Sequence, residues 1–479
     1  MIKAVPFLLI FLGTLFSCLG DDPVTVSFDG TEIDPELFTL PEGFVFHRNN
    51  SPSYPDLRLS VRETVGSEQP RFSISKEYLV PLKDRNDYRE SMNPDEIHKE
   101  GLPLVPLSSW EYAGRGVMVK GLSPADREYP LVKWRHLVLD WNDPPDPVLS
   151  GRIEKALTEY LGAAGPDTSP AIVWLGAVGD MMLQRGIEDM LINRPDGKEK
   201  TFSDLLPQLS AFDLLMGNLE GAVTRRGSKT PKSYNFRFRP EVLAPLGQAG
   251  FDYLSLTNNH CYDYGEEGFL DTLEYLEEYG IRTSGAAESP EEALEPALFT
   301  LRGLTVRILS VGAYPRERNG FNGETEARVT ADRAGILWYG KEALSAISGF
   351  SDDEGIDIVM VHGGHEWQRV PDDEQRSRYR SIIDAGADIV FGSHPHVLQG
   401  AESYKGGVIY YSLGNFLFNG MEEMPYAEDS LVASLGVCGG KILYRRDIPV
   451  RINGPSVRID KSGRITAQFR DLSEGLSLP

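Results

Sequence analysis

The chain has 479 residues, 41% hydrophobic and 25% charged, which is ample apolar material for packed cores and more length than one core usually serves, so two domains are expected. Its net charge of −23 repels nucleic-acid backbones and anionic lipid headgroups alike, so no nucleic-acid partner is expected and any membrane attachment needs a specific anchor. Three cysteines, Cys18, Cys261 and Cys438, exclude a dense disulfide framework and a zinc ribbon of paired thiolates.

The N-terminus reads MIKAVPFLLIFLGTLFSCL, with one Lys followed by a mostly apolar run and small residues near its end. The uninterrupted apolar stretch is shorter than the ~20 residues of a membrane-spanning helix, and the pattern is that of a secretory signal. Its end, Leu15-Phe16-Ser17-Cys18, resembles a bacterial lipobox, whose cysteine becomes the lipidated first residue. Residues 1–18 are therefore read as a lipoprotein signal peptide, Cys18 as the lipidation site and 19–30 as a tether. The expected location is a bacterial cell envelope, lipid-anchored to a membrane and facing the periplasm or exterior, since several buried acyl chains anchor stably.

From 31 to 161, strand-like pieces such as FSIS at 72–75, GVMV at 116–119 and LVL at 137–139 are broken by many Pro and Asp, which predicts a smaller N-terminal α+β domain. The stretch GVMVKGLSPADREYPL at 116–131 resembles part of a solute-binding-protein lobe, with an unrelated spacer domain as the equal alternative. Residues 148–160 read as an amphipathic helix, and GAAGPDTSP at 162–170 reads as the linker.

Beyond 171 the pattern changes. Short apolar runs at 172–178, 214–216, 253–256, 306–311, 356–361, 389–391 and 408–411 alternate with helical stretches such as 266–279 and 373–385. This alternation predicts a layered α/β domain over 171–420, with residues 421–479 supplying strands that complete or flank it. In such sheets the chemistry gathers beyond the carboxyl ends of the strands. The residues found there are Asp180, Asn218 with Glu220, Asn258-Asn259-His260 with Asp263, His362 with His365-Glu366, His394-Pro395-His396, and Ser412 to Phe416. Five of the eight histidines fall in these segments. Imidazoles mixed with oxygen ligands and no thiolate suit one or two divalent ions of Mn, Fe or Zn.

The ordered motifs GDMMLQR, GNLE, NNHCYDYG, HGGHE, GSHPH and YSLGNF resemble the CapA family, the poly-γ-glutamate capsule synthesis family, over about 172–418. That family resembles the metallophosphatase, or calcineurin-like, superfamily. The resemblance implies a four-layer α/β/β/α sandwich with its site at one edge of two packed sheets. It implies metal ligation by Asp180, Glu220 as bridging carboxylate, Asn259, His362, His394 and His396, with Asn218 in support. It implies that His260 protonates a leaving group while Asp263 orients His260 and Glu366 supports a metal-bound water. One departure stands out: the superfamily's Asp-x-His is here Asp180-Met181-Met182, so one ligand is missing. The implied function is a metal-dependent hydrolase, of phosphoester or amide bonds, in synthesis, release or export of an anionic capsule polymer. Its partners would be that polymer or its precursor and subunits of a membrane synthase. The rival is a non-catalytic scaffold or polymer-binding subunit of that synthase.

Arg185, Arg237 and Arg239 are candidate substrate-binding residues for an anion, against the plainer reading of a solvated or salt-bridged surface. Cys261 beside His260 reads as packing rather than a nucleophile, and Cys438 as core. Trp367 is placed either lining the cleft or packing, and Ser412 and Asn415 are read as shaping the final turn.

Overall fold

The structure is a computed structural model. It describes residues 172–351 and 355–476, together with the N-terminal strands between Val24 and Trp141 and the residues Ile97 and Lys99. The signal peptide with Cys18, the helix read at 148–160 and the linker at 162–170 lie outside the described residues. The chain divides into two compact units, Met1–Lys83 with Ser91–Pro170, and Asp84–Glu90 with Ala171–Pro479.

The first unit carries a seven-stranded mixed sheet. Its strand Leu57–Val65 pairs antiparallel with Val132–Trp141, which pairs in turn with Ser73–Lys83. Val24–Asp29, read from sequence as part of a tether, is instead a strand, parallel to Leu57–Val65 and to Phe44–Phe46. The elements described in this unit are strands, apart from the helical residues Ile97 and Lys99.

The second unit is built on two sheets. The eight-stranded one runs Phe251–Ser255, Leu214–Leu219, Val173–Met182, Asp429–Cys438, Ile448–Asn453, Ser456–Ile459, with Asn415–Phe418 and Lys441–Arg445 paired at its side. The six-stranded one runs Ala297–Leu301, Leu304–Ala313, Ile356–Gly363, Ile389–Ser393, Gly407–Tyr410, Ala401–Tyr404. The period-two alternation of side chains sorts each strand between two cores. Leu214 and Met216 join Val306, Ile308, Ile356, Ile358 and Phe391 in one apolar cluster between the sheets. Leu215 and Leu219 face the other way, onto helical Ile187, Leu246, Phe269 and Leu276. Leu309, Val311, Val359 and Val361 likewise face Ala343, Ile347, Tyr379 and Ile382 of the helices Lys341–Phe350 and Asp373–Asp384. The result is the α/β/β/α order of layers. The apolar runs of the sequence are its central strands, and the C-terminal segment completes the first sheet and adds the helix Arg464–Glu474.

Parallel registry brings the chemistry together. Val173–Met182, Leu214–Leu219 and Phe251–Ser255 run parallel, as do Leu304–Ala313, Ile356–Gly363 and Ile389–Ser393, so the carboxyl ends of each set share one edge. The first strand shifts register between Ala177 and Asp180, where Asp180 pairs with Asn218 on one side and Asn415 on the other. Gly179 makes this possible: a Cβ there would overlap the carbonyl oxygen of Gly414, which accepts the Asp180 N–H at 3.0 Å. Gly179→Ala should therefore cost about 1–3 kcal/mol through overpacking. Chemical denaturation of the purified chain checks this, with a midpoint equal to wild type as the contrary result.

Candidate metal centre

The strand ends place carboxylate, carboxamide and imidazole groups from five separate parts of the chain within contact of one another. Asp180, Glu220 and His396 form one group, with a ligand atom from each lying within 4.8 Å of the others, and all three residues are buried. His396 Nδ1 lies 3.3 Å from Asp180 Oδ2, and its Nε2 lies 3.7 Å from Glu220 Oε1. Beside them, His362 Nε2 is 3.0 Å from Asn259 Oδ1 and 3.1 Å from His394 Nδ1. The groups adjoin, because His362 Nδ1 lies 3.9 Å from Asp180 Oδ1 and the His394 N–H donates to Asp180 Oδ2 at 3.2 Å.

Their orientation is fixed from behind. Asn218 donates to Asp180 Oδ1 at 2.8 Å, and Asn258 donates to Asn218 Oδ1 at 3.0 Å. Ser393 Oγ lies 2.9 Å from His362 Nδ1, which turns Nε2 toward the pocket. Asn415 Oδ1 lies 2.9 Å from His396 Nδ1, so Asn415 does more than shape a turn. His394 and His396 both hold left-handed backbone, at φ of 99° and 58°. Such conformations cost about 1–3 kcal/mol each in a non-glycine residue and persist only where surroundings over-determine them.

The electrostatics are those of an excess of buried negative charge. Both oxygens of Glu220 are buried without a hydrogen-bond partner. Burial, then the Asp180 carboxylate, pushes the Glu220 carboxyl well above its ordinary range, while His396 partly opposes the rise. For His396 burial favours the neutral ring, but Glu220 and Asp180 overcome it and hold the imidazole at about 10. His362 and His394 go the other way: burial, then neighbouring imidazoles, keep both well below the usual histidine value and hence neutral. Neutral imidazoles, a carboxamide oxygen and an unsatisfied carboxylate are a donor set that fits a divalent cation.

His260 borders this set. Its Nδ1 is 2.6 Å from Asp263 Oδ2, and its Nε2 is 3.9 Å from Glu220 Oε1. The ring lies against Phe236, with centroids 4.3 Å apart, and burial lowers its proton affinity although Asp263 works against that. Glu366 is exposed, and its charge is among the causes that raise Glu220 and His396. Trp367 lines the site, 5.4 Å from the His396 ring at a φ of 68°, whereas His365 is exposed and pairs with Asp372 at 3.3 Å. The position of the missing histidine is filled by Met182, fully buried, whose sulfur accepts the Gln184 N–H.

The three candidate anion-binding arginines make other contacts. Arg239 pairs with Glu188 and Asp189, the salt-bridged alternative weighed for it. Arg185 is exposed and donates to the Asn419 and Gly420 carbonyls at 2.9 and 3.1 Å, with its guanidinium 6.0 Å from the Phe418 ring that packs on His396. Arg237 is exposed and stacks on Tyr264 at 4.5 Å. Cys261 is buried and its thiol is pushed far up by burial, so it supplies no thiolate, while Cys438 is half-buried rather than core. The sequence reading did not single out Lys232, whose ammonium lies 2.9 Å from Asp263 Oδ1, nor Tyr314, whose ring sits 5.7 Å from His362.

Removing the Glu220 charge separates its two effects. Glu220→Gln removes one of two crowded buried acids and leaves Asp180 to pair with His396, so the metal-free protein should lose no more than ~1 kcal/mol. It should also lose the stabilisation of about 2.7 kcal/mol that Mn²⁺ bound at this group would give wild type at a hundredfold excess over its dissociation constant. Thermal unfolding with and without Mn²⁺ decides, and an undiminished Mn²⁺ effect in the variant contradicts this geometry.

Comparison with known proteins places this domain. Residues 174–420 match the family described as bacterial capsule synthesis protein PGA_cap. The chain is 33% identical over 251 residues to the capsule biosynthesis protein CapA of Bacillus anthracis, covering 50% of this chain and 59% of that protein. It is 32% identical over 246 residues to the PGA biosynthesis protein CapA of Bacillus subtilis, covering 50% and 62%. It is 27% identical over 288 residues to a probable polyglutamine synthesis accessory protein of Mycobacterium tuberculosis, covering 52% and 74%. The chain thus spans 59% and 62% of the two CapA proteins, less than two thirds of either. With its family region running from the first central strand to just past the last motif, the chain belongs to the bacterial capsule synthesis family PGA_cap.

Proposed function

We propose that this chain is an envelope-anchored, divalent-metal-dependent hydrolase that works in the synthesis, release or export of an anionic capsule polymer such as poly-γ-glutamate. The observation that carries the reading is Glu220: a fully buried carboxylate with two unpartnered oxygens, facing Asp180 and His396 and adjoining Asn259, His362 and His394. Two buried acids against one imidazolium leave a charge uncompensated at a cost of several kcal/mol, which a cation would remove. Asp180, Glu220 and His396 would hold one ion, with Asn259, His362 and His394 available for a second. A bound ion there supplies an activated water and a positive charge at the scissile centre. With its Nδ1 proton held toward Asp263, His260 would use its Nε2 lone pair to take a proton from the attacking water and return it to the leaving group. The names of the relatives, capsule and PGA biosynthesis proteins, support a polymer of that kind as the setting.

A second reading, a non-catalytic scaffold or polymer-binding subunit of a membrane synthase, is favoured by one observation. Met182 stands where a phosphatase-type site would place another imidazole, and its sulfur is turned to a backbone N–H. The two readings separate on purified protein with Mn²⁺, assayed on phosphoesters and on γ-glutamyl peptides. The hydrolase reading expects turnover that falls at least about a hundredfold in His260→Ala with its fold intact. Absence of turnover in wild type on every such substrate, with unchanged capsule output in the His260→Ala strain, favours the scaffold.

The anchor rests on the lipobox-like end at Cys18. Fractionated cells should show wild type in the membrane pellet and labelled by fatty acid, with Cys18→Ala released. A variant that stays in the pellet, beside an unlabelled wild type, overturns the anchor.

A further inference from the structure

Lys232 sits in the excursion between the short strands Ala222–Val223 and Arg237–Phe238, and its side chain is 1% exposed. A buried ammonium has three N–H donors to satisfy, and three oxygens meet them. These are Asp263 Oδ1 and Glu317 Oε1, each at 2.9 Å, and the backbone carbonyl of Asn259. The Phe321 ring closes the cage at 4.5 Å.

Two arms lead from this cation to two neighbouring residues of the metal centre. Through Asp263, whose Oδ2 accepts the Phe236 N–H at 2.7 Å and faces His260 Nδ1 at 2.6 Å, the cation fixes a carboxylate behind His260. Through Glu317, whose Oε1 accepts from Asn259 Nδ2 at 3.3 Å, it fixes the Asn259 carboxamide with nitrogen outward and Oδ1 toward His362. The opposite rotamer would aim an NH₂ group at the cation pocket, and an amide nitrogen with two protons ligates no metal. Asn319 secures the far oxygen of Glu317 at 2.7 Å, so the second arm is itself held. The excursion that carries Lys232 is laid onto the same segment, since the Thr230 N–H donates to the Asp263 carbonyl at 3.0 Å.

We propose that Lys232 is a positioning residue that sets two things at once: the oxygen-inward orientation of Asn259 and the Nδ1–H tautomer of His260. The Asn259 arm rests on the metal-centre reading above, whereas the His260 arm is independent of it. A lysine that merely neutralised Asp263 and Glu317 would cost stability on removal without changing the His260 tautomer or the affinity for the cation.

The test uses the full chain with Lys232→Met, which keeps the stem and removes the charge and its donors. Nitrogen-15 spectra of the histidine rings in metal-free protein report the tautomer, and calorimetric titration with Mn²⁺ reports affinity. Wild type is expected to show His260 protonated at Nδ1. The variant is expected to lose that single signature and to bind Mn²⁺ about tenfold more weakly, the scale for residues behind a metal ligand. A folded variant with unchanged tautomer and unchanged Mn²⁺ affinity overturns the proposal. If Lys232→Met does not fold, Glu317→Ala cuts one arm alone. Weaker Mn²⁺ binding with the His260 signature retained then supports the proposal, and unchanged binding overturns it. If wild type itself takes up no Mn²⁺, the metal reading fails, and the tautomer in Lys232→Met still decides the role of the lysine.

Discussion

Glu220 is a carboxyl group sealed inside the protein with no hydrogen-bond donor on either oxygen, and the arrangement of the second unit turns on that residue. Its neighbours deepen the problem: Asp180 adds a second buried acid, and His396 returns a single positive charge. A chain under ordinary pressure for stability would replace Glu220 with an apolar or amide side chain. Here it is kept beside three further ligand-type side chains, two of them imidazoles that stay neutral. The pocket is thus short of positive charge while rich in lone pairs, a donor set that fits a divalent cation.

The two sheets bring the groups of that pocket together. The apolar layer between them is contributed by every second residue of the central strands, so the other residues are free to carry polar groups only where strands end. Asp180 comes from one sheet and His362 from the other, and the sheet-to-sheet core fixes their separation. The histidines that follow Ser393 accept left-handed backbone to point inward, and they are restrained by Asn415, Asp180 and His362. Strain of that kind is tolerated where neighbouring contacts over-determine it.

Much of this was legible in the sequence, for reasons that are local. The apolar runs were continuous and bounded by polar residues, as buried parallel strands require, and histidines and acids recurred immediately after them. What escaped was non-local or aperiodic. Lys232 is one of two lysines in the run Ser228 to Tyr234, with nothing in its spacing to show that Asp263 and Glu317 close around it. A salt-bridged Arg239 was weighed from sequence, but its partners Glu188 and Asp189, some fifty residues away, could not be named. Asn415 looked like a turn residue because its partner His396 comes from another loop. Val24–Asp29 read as a tether because a parallel strand finds its partners through distant contacts that carry no short-range signal.

The most direct measurement of the central claim is anomalous X-ray diffraction at the zinc edge from crystals of the full chain equilibrated with Zn²⁺. The account predicts a peak within about 2.0–2.2 Å of a Glu220 oxygen and an imidazole nitrogen of His396. A difference map with no anomalous peak in that pocket, and with Glu220 turned to a protein hydrogen-bond donor, would contradict it.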